Sequence, residues 1–104
     1  RAPNNFTLLI LDNGSYGSTG DQKTFTDENT SLKAVALGSG CKKVIQCAAT
    51  ETSKYLKKAI EDKKNSYVII SKIKSGNISV KSIPINPITI RDRFRKIIGL
   101  VKYL

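Results

Sequence analysis

The chain contains no histidine and only two cysteines, Cys41 and Cys47, among its 104 residues. A structural zinc site of the usual kind needs four Cys or His ligands, so one copy of the chain cannot assemble such a site. The two cysteines do not form a Cys-x-x-Cys pair, and we expect them to be buried free thiols rather than a disulfide or a redox pair. The corresponding expectation for localisation is the reducing cytoplasm.

Long apolar runs are also missing, and we expect no helix that crosses a bilayer. Acidic residues are few: 8 Asp and Glu stand against 18 Lys and Arg, which makes the net charge +10. Such a charge suits nucleic acid, an anionic membrane or an acidic partner. The 4 Tyr and 3 Phe do not alternate with the basic residues as an RNA-stacking surface requires. We therefore expect no nucleic-acid or membrane partner, with a basic nucleic-acid-binding domain left open as an alternative.

What the sequence does contain is a regular alternation of apolar runs and amphipathic segments. Apolar runs predict strands at 6–12, 43–48 and 67–73, and the first is expected to be buried on both faces. Amphipathic segments predict helices at about 30–37 and 52–62. The order strand, helix, strand, helix, strand predicts an α/β fold, with a parallel sheet and flanking helices.

The two predicted helices each have a candidate buried face. Thr30 or Ser31 is expected to cap the first helix, and the glycines at 38–40 to end it. Its buried face is predicted to consist of Leu32, Val35 and Ala36. For the second helix the predicted buried residues are Tyr55, Leu56, Ala59 and Ile60, and the lysines Lys54, Lys57, Lys58 and Lys64 are predicted to face solvent.

The last third of the chain predicts an extended segment followed by a helix. Pro84 and Pro87 favour extended backbone over 80–88. Thr89 and Asp92 have the spacing of a capping box, which predicts a helix from about Thr89. Its apolar stripe is Ile90, Phe94, Ile97, Ile98, Val101 and Leu104. We expect this stripe to pack on the chain's own sheet first, on a partner subunit second and on a membrane last.

The long segment 13–27 between the first strand and the first helix is the candidate site. It follows the carboxyl end of a predicted parallel strand, where ligands bind in such sheets. Asp12, Asn13 and Asp21 offer the hard oxygen ligands that Mg²⁺ prefers. Tyr16 and Phe25 are expected to anchor the segment against the core. An ordinary surface loop remains the alternative, since clusters of Asn, Gly and Ser are common in turns.

A specific motif opens this segment. Residues 12–24 read Asp-Asn-x-x-Tyr-Gly-Ser-Thr-Gly-x-Gln-x-Thr. The motif resembles the closing half of the cofactor motif of thiamine diphosphate-dependent decarboxylases, in the form typical of sulfopyruvate decarboxylase beta subunits and, more distantly, of phosphonopyruvate decarboxylase. The tail 83–94, Ile-Pro-Ile-Asn-Pro-Ile-Thr-Ile-Arg-Asp-Arg-Phe, is similar to the end of that subunit. The Gly and Pro that flank the motif's glutamine in the family are Asp21 and Lys23 here.

The resemblance implies both a fold and a set of ligands. The cofactors are thiamine diphosphate and Mg²⁺. Asn13 through its side-chain oxygen and Ser15 through its carbonyl are the implied metal ligands, and the implied cofactor-binding residues are Asn13, Ser15, Tyr16, Gly17, Ser18 and Thr19. The family's upstream Gly-Asp-Gly half, which supplies a further metal ligand, does not occur in residues 1–12. We therefore expect 1–104 to be the carboxyl-terminal half of a pyrophosphate-type cofactor domain: strand and loop 6–27, helix and strand units 30–73, tail and helix 80–104.

The resemblance also implies a reaction and a partner. The reaction is decarboxylation of a 2-oxo acid, sulfopyruvate, to sulfoacetaldehyde and CO₂, within coenzyme M biosynthesis. The catalytic glutamate belongs to a separate alpha subunit that carries the pyrimidine-binding domain, so no catalytic residue is expected in this chain and the enzyme is expected to be a hetero-oligomer. A non-catalytic binding module and a phosphonopyruvate decarboxylase-like enzyme remain the alternatives.

Overall fold

Three parallel strands and two flanking helices form the body of the molecule. The computed structural model describes residues 3–81 and 83–100. Two short 3₁₀ turns, Phe25–Asp27 and Ala49–Glu51, precede helices α1 and α2. In chain order, the regular elements are β1 (Thr7–Asp12), β2 (Ser15–Tyr16), β3 (Gln22–Lys23), α1 (Leu32–Gly38), β4 (Lys43–Ala48), α2 (Thr52–Glu61), β5 (Tyr67–Lys72) and α3 (Pro87–Ile97).

The main sheet has the strand order β1-β5-β4, and both neighbouring pairs are parallel. Leu9 of β1 and Ile45 of β4 both pair with Ile69 in the central strand. The predicted α/β class and the predicted parallel sheet are therefore confirmed. Parallel strands need crossover connections, which here contain α1 between β1 and β4 and α2 between β4 and β5.

One face of the sheet packs against α2. Alternate residues of a strand share a face, and the core on this side is built from Cys47, Ala59, Tyr67 and Ile69, with Leu9, Ile45, Tyr55 and Leu56 packed against it. The predicted inward positions of Tyr55, Leu56 and Ala59 are confirmed. Ile60 was predicted to be buried, but it is 55% exposed because it lies at the edge of the face that α2 turns to the sheet. Cys41 and Cys47 are free thiols as expected, half-buried and buried respectively.

The opposite face is covered in part by α1. Ser31 caps this helix and accepts a hydrogen bond from the Ala34 N–H at 3.1 Å. Gly40, with φ +89°, follows the end of the helix in the left-handed conformation that glycine tolerates. Both predicted ends are thus confirmed. The predicted burial of Val35 is wrong, because this short helix contacts the sheet with only one side and Val35 points to solvent.

Strand β1 lies at an edge of the described sheet, and its predicted burial on both faces is wrong. Leu8 and Leu11 are 42% and 58% exposed and lie on opposite faces of the strand. Helix α1 packs over β4 and β5 and leaves Leu8 uncovered. The central strand β5 is the one buried on both faces, with Ile69 and Ile70 both fully inaccessible to solvent.

The long segment after β1 contains more regular structure than predicted. Strands β2 and β3 form a two-residue antiparallel ladder, and the turn between them spans residues 17–20. Tyr16 and Phe25 were expected to anchor this segment to the core, but both are exposed. Backbone hydrogen bonds within the hairpin and side-chain bonds from the segment after β5 hold it instead.

The described residues from Ile73 to Asn86 form no helix or strand, so β5 ends one residue before its predicted end. The predicted extended segment 80–88 includes Ser82, which lies outside the described residues. The predicted end of the extended segment at residue 88 and the predicted start of the last helix at Thr89 are both wrong, because α3 begins at Pro87. Asn86 caps α3 by accepting a hydrogen bond from the Ile88 N–H at 2.8 Å, and proline is favoured at the first helical position.

Helix α3 does not pack on the sheet. Its apolar residues Ile90, Phe94 and Ile97 are exposed, as is Ile98 after its end, so the prediction that the stripe joins the core is wrong for these four. Val101 and Leu104 of the stripe lie outside the described residues. The radius of gyration is 18.6 Å, against about 13 Å for a compact domain of this length. None of the helices within residues 3–81 and 83–100 has the length and apolar character that a bilayer crossing requires.

Candidate functional site

The motif segment begins where the three strands of the main sheet end. Asp12 closes β1, Lys72 closes β5 and Ala48 closes β4, and the parallel register places these three residues side by side. The candidate site is therefore at the carboxyl edge of the sheet, as expected for a ligand site in such folds.

Asp12 is a buried carboxylate with every close partner supplied by the protein. The side chain is 8% exposed. Lys72 Nζ donates to Asp12 Oδ2 at 2.5 Å and also to the Thr26 carbonyl at 3.1 Å. Thr26 Oγ1 and the Gly14 N–H donate to Asp12 Oδ1 at 2.7 and 3.0 Å. These bonds join the end of β1 to the end of β5 and to the segment before α1.

The surroundings of Asp12 keep it ionised. Burial by itself raises the pKa of this carboxyl. The hydrogen bonds from Lys72, Thr26 and the Gly14 N–H, together with the positive charge of Lys72, outweigh burial and hold the pKa below its ordinary value of 3.8. Asp12 was considered as a Mg²⁺ ligand from its residue type, but in this structure the carboxylate is committed to Lys72 and Thr26.

Asn13 turns the chain out of β1 and positions Ser15. Asn13 Oδ1 accepts a hydrogen bond from the Ser15 N–H at 3.1 Å, which forms an Asx turn. Gly14 within this turn has φ +65°. A Cβ at Gly14 would lie 3.1 Å from Asp27 Cβ, so both the backbone angle and the close approach require glycine here.

In the hairpin formed by β2 and β3, the Ser15 carbonyl does not hydrogen-bond to β3. The Thr24 N–H donates to the Gly14 carbonyl at 2.9 Å, and Ser15 pairs with Lys23 in the next position. Hydrogen-bonded and non-hydrogen-bonded pairs alternate in an antiparallel ladder, so Ser15–Lys23 is a non-hydrogen-bonded pair. The Ser15 N–H and carbonyl therefore both face away from β3, toward the side where Asn13 lies. An amide oxygen and a backbone carbonyl oxygen are thus available on one side of β2.

Two side-chain amides flank Gly17 at the start of the turn. A Cβ at Gly17 would lie 3.2 Å from Asn77 Oδ1 and 3.6 Å from Asn13 Nδ2. Asn77 Nδ2 donates to the Gly17 carbonyl. Thr19 Oγ1 donates to Gln22 Oε1 and Gln22 Nε2 donates to the Thr19 carbonyl, both at 3.3 Å, and these bonds close the other side of the turn. The predicted residues from Asn13 to Thr19 are therefore brought together around one small turn.

The segment after β5 holds the hairpin through Ser75. Ser15 Oγ lies 2.6 Å from both Ser75 Oγ and Asp21 Oδ1, and the Ser75 hydroxyl also donates to Asp21. The hydrogen bonds from Ser15 and Ser75 lower the pKa of Asp21. Asp21 has φ +61°, which is uncommon outside glycine, and this network fixes it in that conformation. Asp21, like Asp12, is engaged within the protein.

These contacts lead to a prediction for the double variant Ser75→Ala/Asn77→Ala. Backbone amides of residues 17–22 are expected to exchange with solvent about tenfold faster, because the turn loses every side-chain contact from the segment after β5. Hydrogen exchange measured by mass spectrometry or NMR tests this. Asn4→Ala, in the exposed lead-in, is the control and should leave residues 17–22 unchanged. Equal exchange in the double variant and the wild type would contradict the role of Ser75 and Asn77.

Two cavities flank the sheet at opposite ends of the strands. The larger, about 440 Å³, lies at the amino ends and is lined by apolar residues such as Leu8 and Val68 and by lysines such as Lys43. The smaller, about 220 Å³, lies at the carboxyl ends and contains Asp12, Thr26 and Lys72 among its lining residues. The smaller of these two cavities adjoins the start of the motif through Asp12, but the predicted ligand residues Asn13 and Ser15 to Thr19 line neither cavity.

Sequence reasoning missed Thr26, Lys72, Ser75 and Asn77. Lys72 is 60 residues from Asp12 along the chain, and Ser75 is 60 residues from Ser15. The parallel pairing of β1 with β5 brings Lys72 and Ser75 to this end of the sheet. The sequence predicted a parallel sheet, but neither its strand order nor its register. Within residues 3–81 and 83–100 no three His, Cys, Asp or Glu side chains cluster as a metal site would require.

Comparisons with known proteins identify relatives along nearly the whole chain. The chain is 38% identical over 96 residues to "Sulfopyruvate decarboxylase subunit beta" of Methanocaldococcus jannaschii, a match covering 92% of this chain and 50% of that protein. It is 33% identical over 92 residues to the protein of the same name from Methanococcus maripaludis, covering 88% and 49%. It is 30% identical over 105 residues to "Sulfopyruvate decarboxylase" of Methanosarcina acetivorans, covering 98% and 26%. No protein-family model and no solved structure matches the chain.

The resemblance read from the motif is confirmed by these relatives. Their similarity extends over most of the chain rather than over the motif segment alone. The chain spans about half the length of the two beta subunits and about a quarter of the longer relative from Methanosarcina acetivorans.

Proposed function

We propose that this chain is the metal-binding portion of a beta subunit of a thiamine diphosphate-dependent 2-oxo acid decarboxylase, acting on sulfopyruvate to give sulfoacetaldehyde and CO₂ in coenzyme M biosynthesis. Similarity to the beta subunits over about nine-tenths of the chain supports the proposal. One structural observation carries it: the Asn13 side chain and the Ser15 carbonyl lie on the same side of β2, and these are the two metal ligands that the family motif implies.

The chemistry of the turn fits a magnesium diphosphate. Asn13 and Ser15 offer neutral hard oxygens, which suit Mg²⁺ and do not add charge beside an anionic cofactor. Gly17 has no side chain where the amides of Asn13 and Asn77 approach it. In the proposed site, residues 16–19 line the diphosphate, with Ser18 and Thr19 as hydroxyl donors. Asn77 donates a hydrogen bond to the Gly17 carbonyl and so fixes the position of residues 16–19.

The chain's contribution to the reaction is binding and orientation. When bound, the cofactor supplies the electron sink that lets CO₂ leave a 2-oxo acid. Asn13 and Ser15 hold the metal, and the turn aligns the diphosphate. The net charge of +10 raises the rate at which a dianionic substrate such as sulfopyruvate approaches the site. The catalytic glutamate is proposed to come from the second subunit.

The proposed assembly is a cytoplasmic hetero-oligomer with an alpha subunit that carries the pyrimidine-binding domain. Two of the relatives are named as beta subunits, which implies a second kind of subunit in those enzymes. The match covers 26% of the relative from Methanosarcina acetivorans, which is a much longer chain named without a subunit.

The test uses the full-length gene product co-expressed with the alpha subunit. We expect release of CO₂ from sulfopyruvate that requires both thiamine diphosphate and Mg²⁺. Phosphonopyruvate is assayed as the competing substrate. If the enzyme turns it over faster than sulfopyruvate, the proposed substrate is wrong, but the reaction is still decarboxylation of a 2-oxo acid. Absence of cofactor-dependent release from either acid would overturn the proposal.

Asn13 variants test the metal ligands separately from turnover. Asn13→Leu, which removes the amide oxygen, is expected to weaken Mg²⁺-dependent cofactor binding at least tenfold in calorimetric titrations, whereas Asn13→Asp keeps an oxygen at that position and should retain binding. Asn4→Leu, in the exposed lead-in near the opposite end of the sheet, is the matched control. If Asn13→Leu and Asn4→Leu bind the cofactor equally, Asn13 is not a metal ligand.

A non-catalytic binding module is the second candidate, favoured by the lack of a free carboxylate in the described turn. Asp12 and Asp21 both accept hydrogen bonds from protein donors. We accordingly expect the 104-residue chain alone to have negligible cofactor affinity. Tight, Mg²⁺-dependent binding by that chain would contradict this expectation and remove the support for the second candidate.

A further inference from the structure

Gly14 lies between Asn13 and Ser15, the two proposed metal ligands, so its backbone sets their relative orientation. Its φ is +65°. A Cβ at this position would lie 3.1 Å from Asp27 Cβ, which leaves no room for a larger residue. Glycine, however, adopts positive and negative φ about as readily, so the residue type alone does not direct the Ser15 carbonyl. Contacts with the rest of the protein have to select the conformation.

Hydrogen bonds hold the peptide groups on both sides of Gly14. The Gly14 N–H donates to Asp12 Oδ1 at 3.0 Å, which fixes the peptide plane between Asn13 and Gly14. In the next peptide, the Gly14 carbonyl accepts from the Thr24 N–H at 2.9 Å. The N–H of that peptide, from Ser15, donates to Asn13 Oδ1 at 3.1 Å. Of these acceptors only Asp12 is charged, and hydrogen bonds to a charged acceptor are stronger than those between neutral groups.

Asp12 is itself held on a rigid part of the fold. It is 8% exposed and pairs in register with Lys72, the last residue of the buried central strand β5. Lys72 Nζ donates to Asp12 Oδ2 at 2.5 Å, and Thr26 Oγ1 donates to Asp12 Oδ1 at 2.7 Å. A side chain that is fixed by further hydrogen bonds to a sheet holds its partner more precisely than a loop does. The carboxylate therefore links the Gly14 N–H to the end of the main sheet.

We propose, resting on the proposed function, that Asp12 is a positioning residue for the metal site: its carboxylate holds the Gly14 N–H and so directs the Asn13 amide oxygen and the Ser15 carbonyl to the same side of β2. Lys72 anchors the carboxylate and balances its charge beside an anionic cofactor. Replacing a residue that orients metal ligands typically costs about 10- to 100-fold in metal affinity.

Direct coordination of the metal by Asp12 fits the geometry less well. Oδ2 lies 2.5 Å from the Lys72 ammonium, so a cation bound there would meet a like charge. Oδ1 already accepts two hydrogen bonds, from Thr26 Oγ1 and the Gly14 N–H. The two roles differ in one respect that can be measured: a positioning residue orders the turn before any metal binds, whereas a ligand acts only when the metal is present.

Two double variants isolate the hydrogen bond to Gly14 from charge and packing. Asp12→Asn/Lys72→Met and Asp12→Leu/Lys72→Met both lack the ion pair and have side chains of nearly equal size at position 12, but only asparagine accepts from the Gly14 N–H. In the full-length gene product with its alpha subunit, we expect the leucine variant to bind thiamine diphosphate and Mg²⁺ about tenfold more weakly than the asparagine variant in calorimetric titrations.

Asp62→Leu is the matched control. Asp62 Oδ1 accepts the same kind of bond, from the Lys64 N–H at 3.0 Å, in the connection between α2 and the amino end of β5. Its loss should leave cofactor affinity unchanged. Circular dichroism establishes that the control and both double variants are folded.

Hydrogen exchange in the cofactor-free full-length protein provides the second measurement. The Ser15 N–H keeps its acceptor, Asn13, in both double variants. It is nevertheless expected to exchange about tenfold faster in the leucine variant than in the asparagine variant, because the turn is no longer held in one conformation. The Ile69 amide, in the core, should exchange equally in both. A role of Asp12 as a metal ligand alone predicts no difference at Ser15 without metal.

The outcomes separate this proposal from the proposed function. Equal cofactor affinity of the two double variants, beside a wild type that binds, leaves the function standing and overturns the role of Asp12. Equal exchange at Ser15 in the two variants also overturns it. If the wild type binds no cofactor, the proposed function fails, while faster exchange at Ser15 in the leucine variant alone still establishes that Asp12 positions the turn.

Discussion

Replacing Ile69 with alanine is expected to lower the free energy of unfolding by about 3 kcal/mol, the middle of the range for buried isoleucine. Ile69 is fully inaccessible to solvent in the central strand β5, opposite Leu9 and Ile45. The substitution leaves a cavity between the sheet and α2, where the residues that pack around Ile69 have little room to collapse. Because helix α3 contributes no buried residues, the sheet and its two other helices supply most of the stability.

The expected loss is large compared with the total stability of small domains, about 5–15 kcal/mol. Urea unfolding followed by circular dichroism measures it, with the slope m compared between variants to establish that the unfolded states are alike. Ile60→Ala is the matched control: it makes the same change at an exposed site and should cost less than about 0.5 kcal/mol. A loss below about 1 kcal/mol at Ile69 would show that the core around β5 is not the stabilising unit.

The strands of the main sheet were predictable because apolar runs specify them locally. The run 67–73 contains enough branched apolar residues to identify β5, which occupies Tyr67–Lys72, and the alternation with helices implies parallel pairing. Burial was harder to predict. The run that forms β1 looks as apolar as β5, yet Leu8 and Leu11 are exposed, since strand order decides which strand lies at the edge.

For helix α3, the spacing of apolar residues predicts the helix but not what covers its apolar face. Its apolar stripe correctly predicts a helix with one face to cover, but the same spacing occurs whether the cover is the chain's own sheet or another molecule. Its start was misplaced by two residues because Pro87 was interpreted as a helix breaker. At the first helical position proline is instead favoured, and Asn86 provides the cap.

The candidate site was predictable only where its residues are close in sequence. Residues 13–19 are contiguous and form the Asx turn, β2 and most of the hairpin turn, so a motif is enough to identify them. Ser75 and Asn77, which hold the hairpin in place, follow β5, and Lys72, the partner of Asp12, is its last residue. All three reach the site through the sheet register. Their residue types alone carry no signal, because Ser-Gly-Asn after a strand is equally typical of a simple turn.

Replacing Lys72 with methionine is expected to lower the free energy of unfolding by about 2 kcal/mol at about pH 7. The substitution keeps much of the side chain's apolar stem but leaves the buried Asp12 carboxylate without its cation. Breaking a fully buried pair costs about 3–5 kcal/mol, and the cost is lower here because the Lys72 side chain is 42% exposed and water can reach its place. Lys57→Met, which breaks an exposed pair of 4.0 Å with Glu61, is the matched control and should cost less than about 0.5 kcal/mol.

The pH dependence of unfolding distinguishes this charge effect from a loss of packing. The folded-state pKa of Asp12 lies below 3.8, so its ionised form stabilises the wild type above that pH, and this contribution is lost as the pH falls through the folded-state pKa. The difference between wild type and Lys72→Met should therefore shrink as the pH falls below 3.8. Adding Asp12→Asn to Lys72→Met should restore part of the stability at about pH 7, because no unpaired charge then remains buried. A difference that is constant with pH, together with no restoration in the double variant, would mean that Lys72 stabilises the end of β5 by packing rather than by its charge.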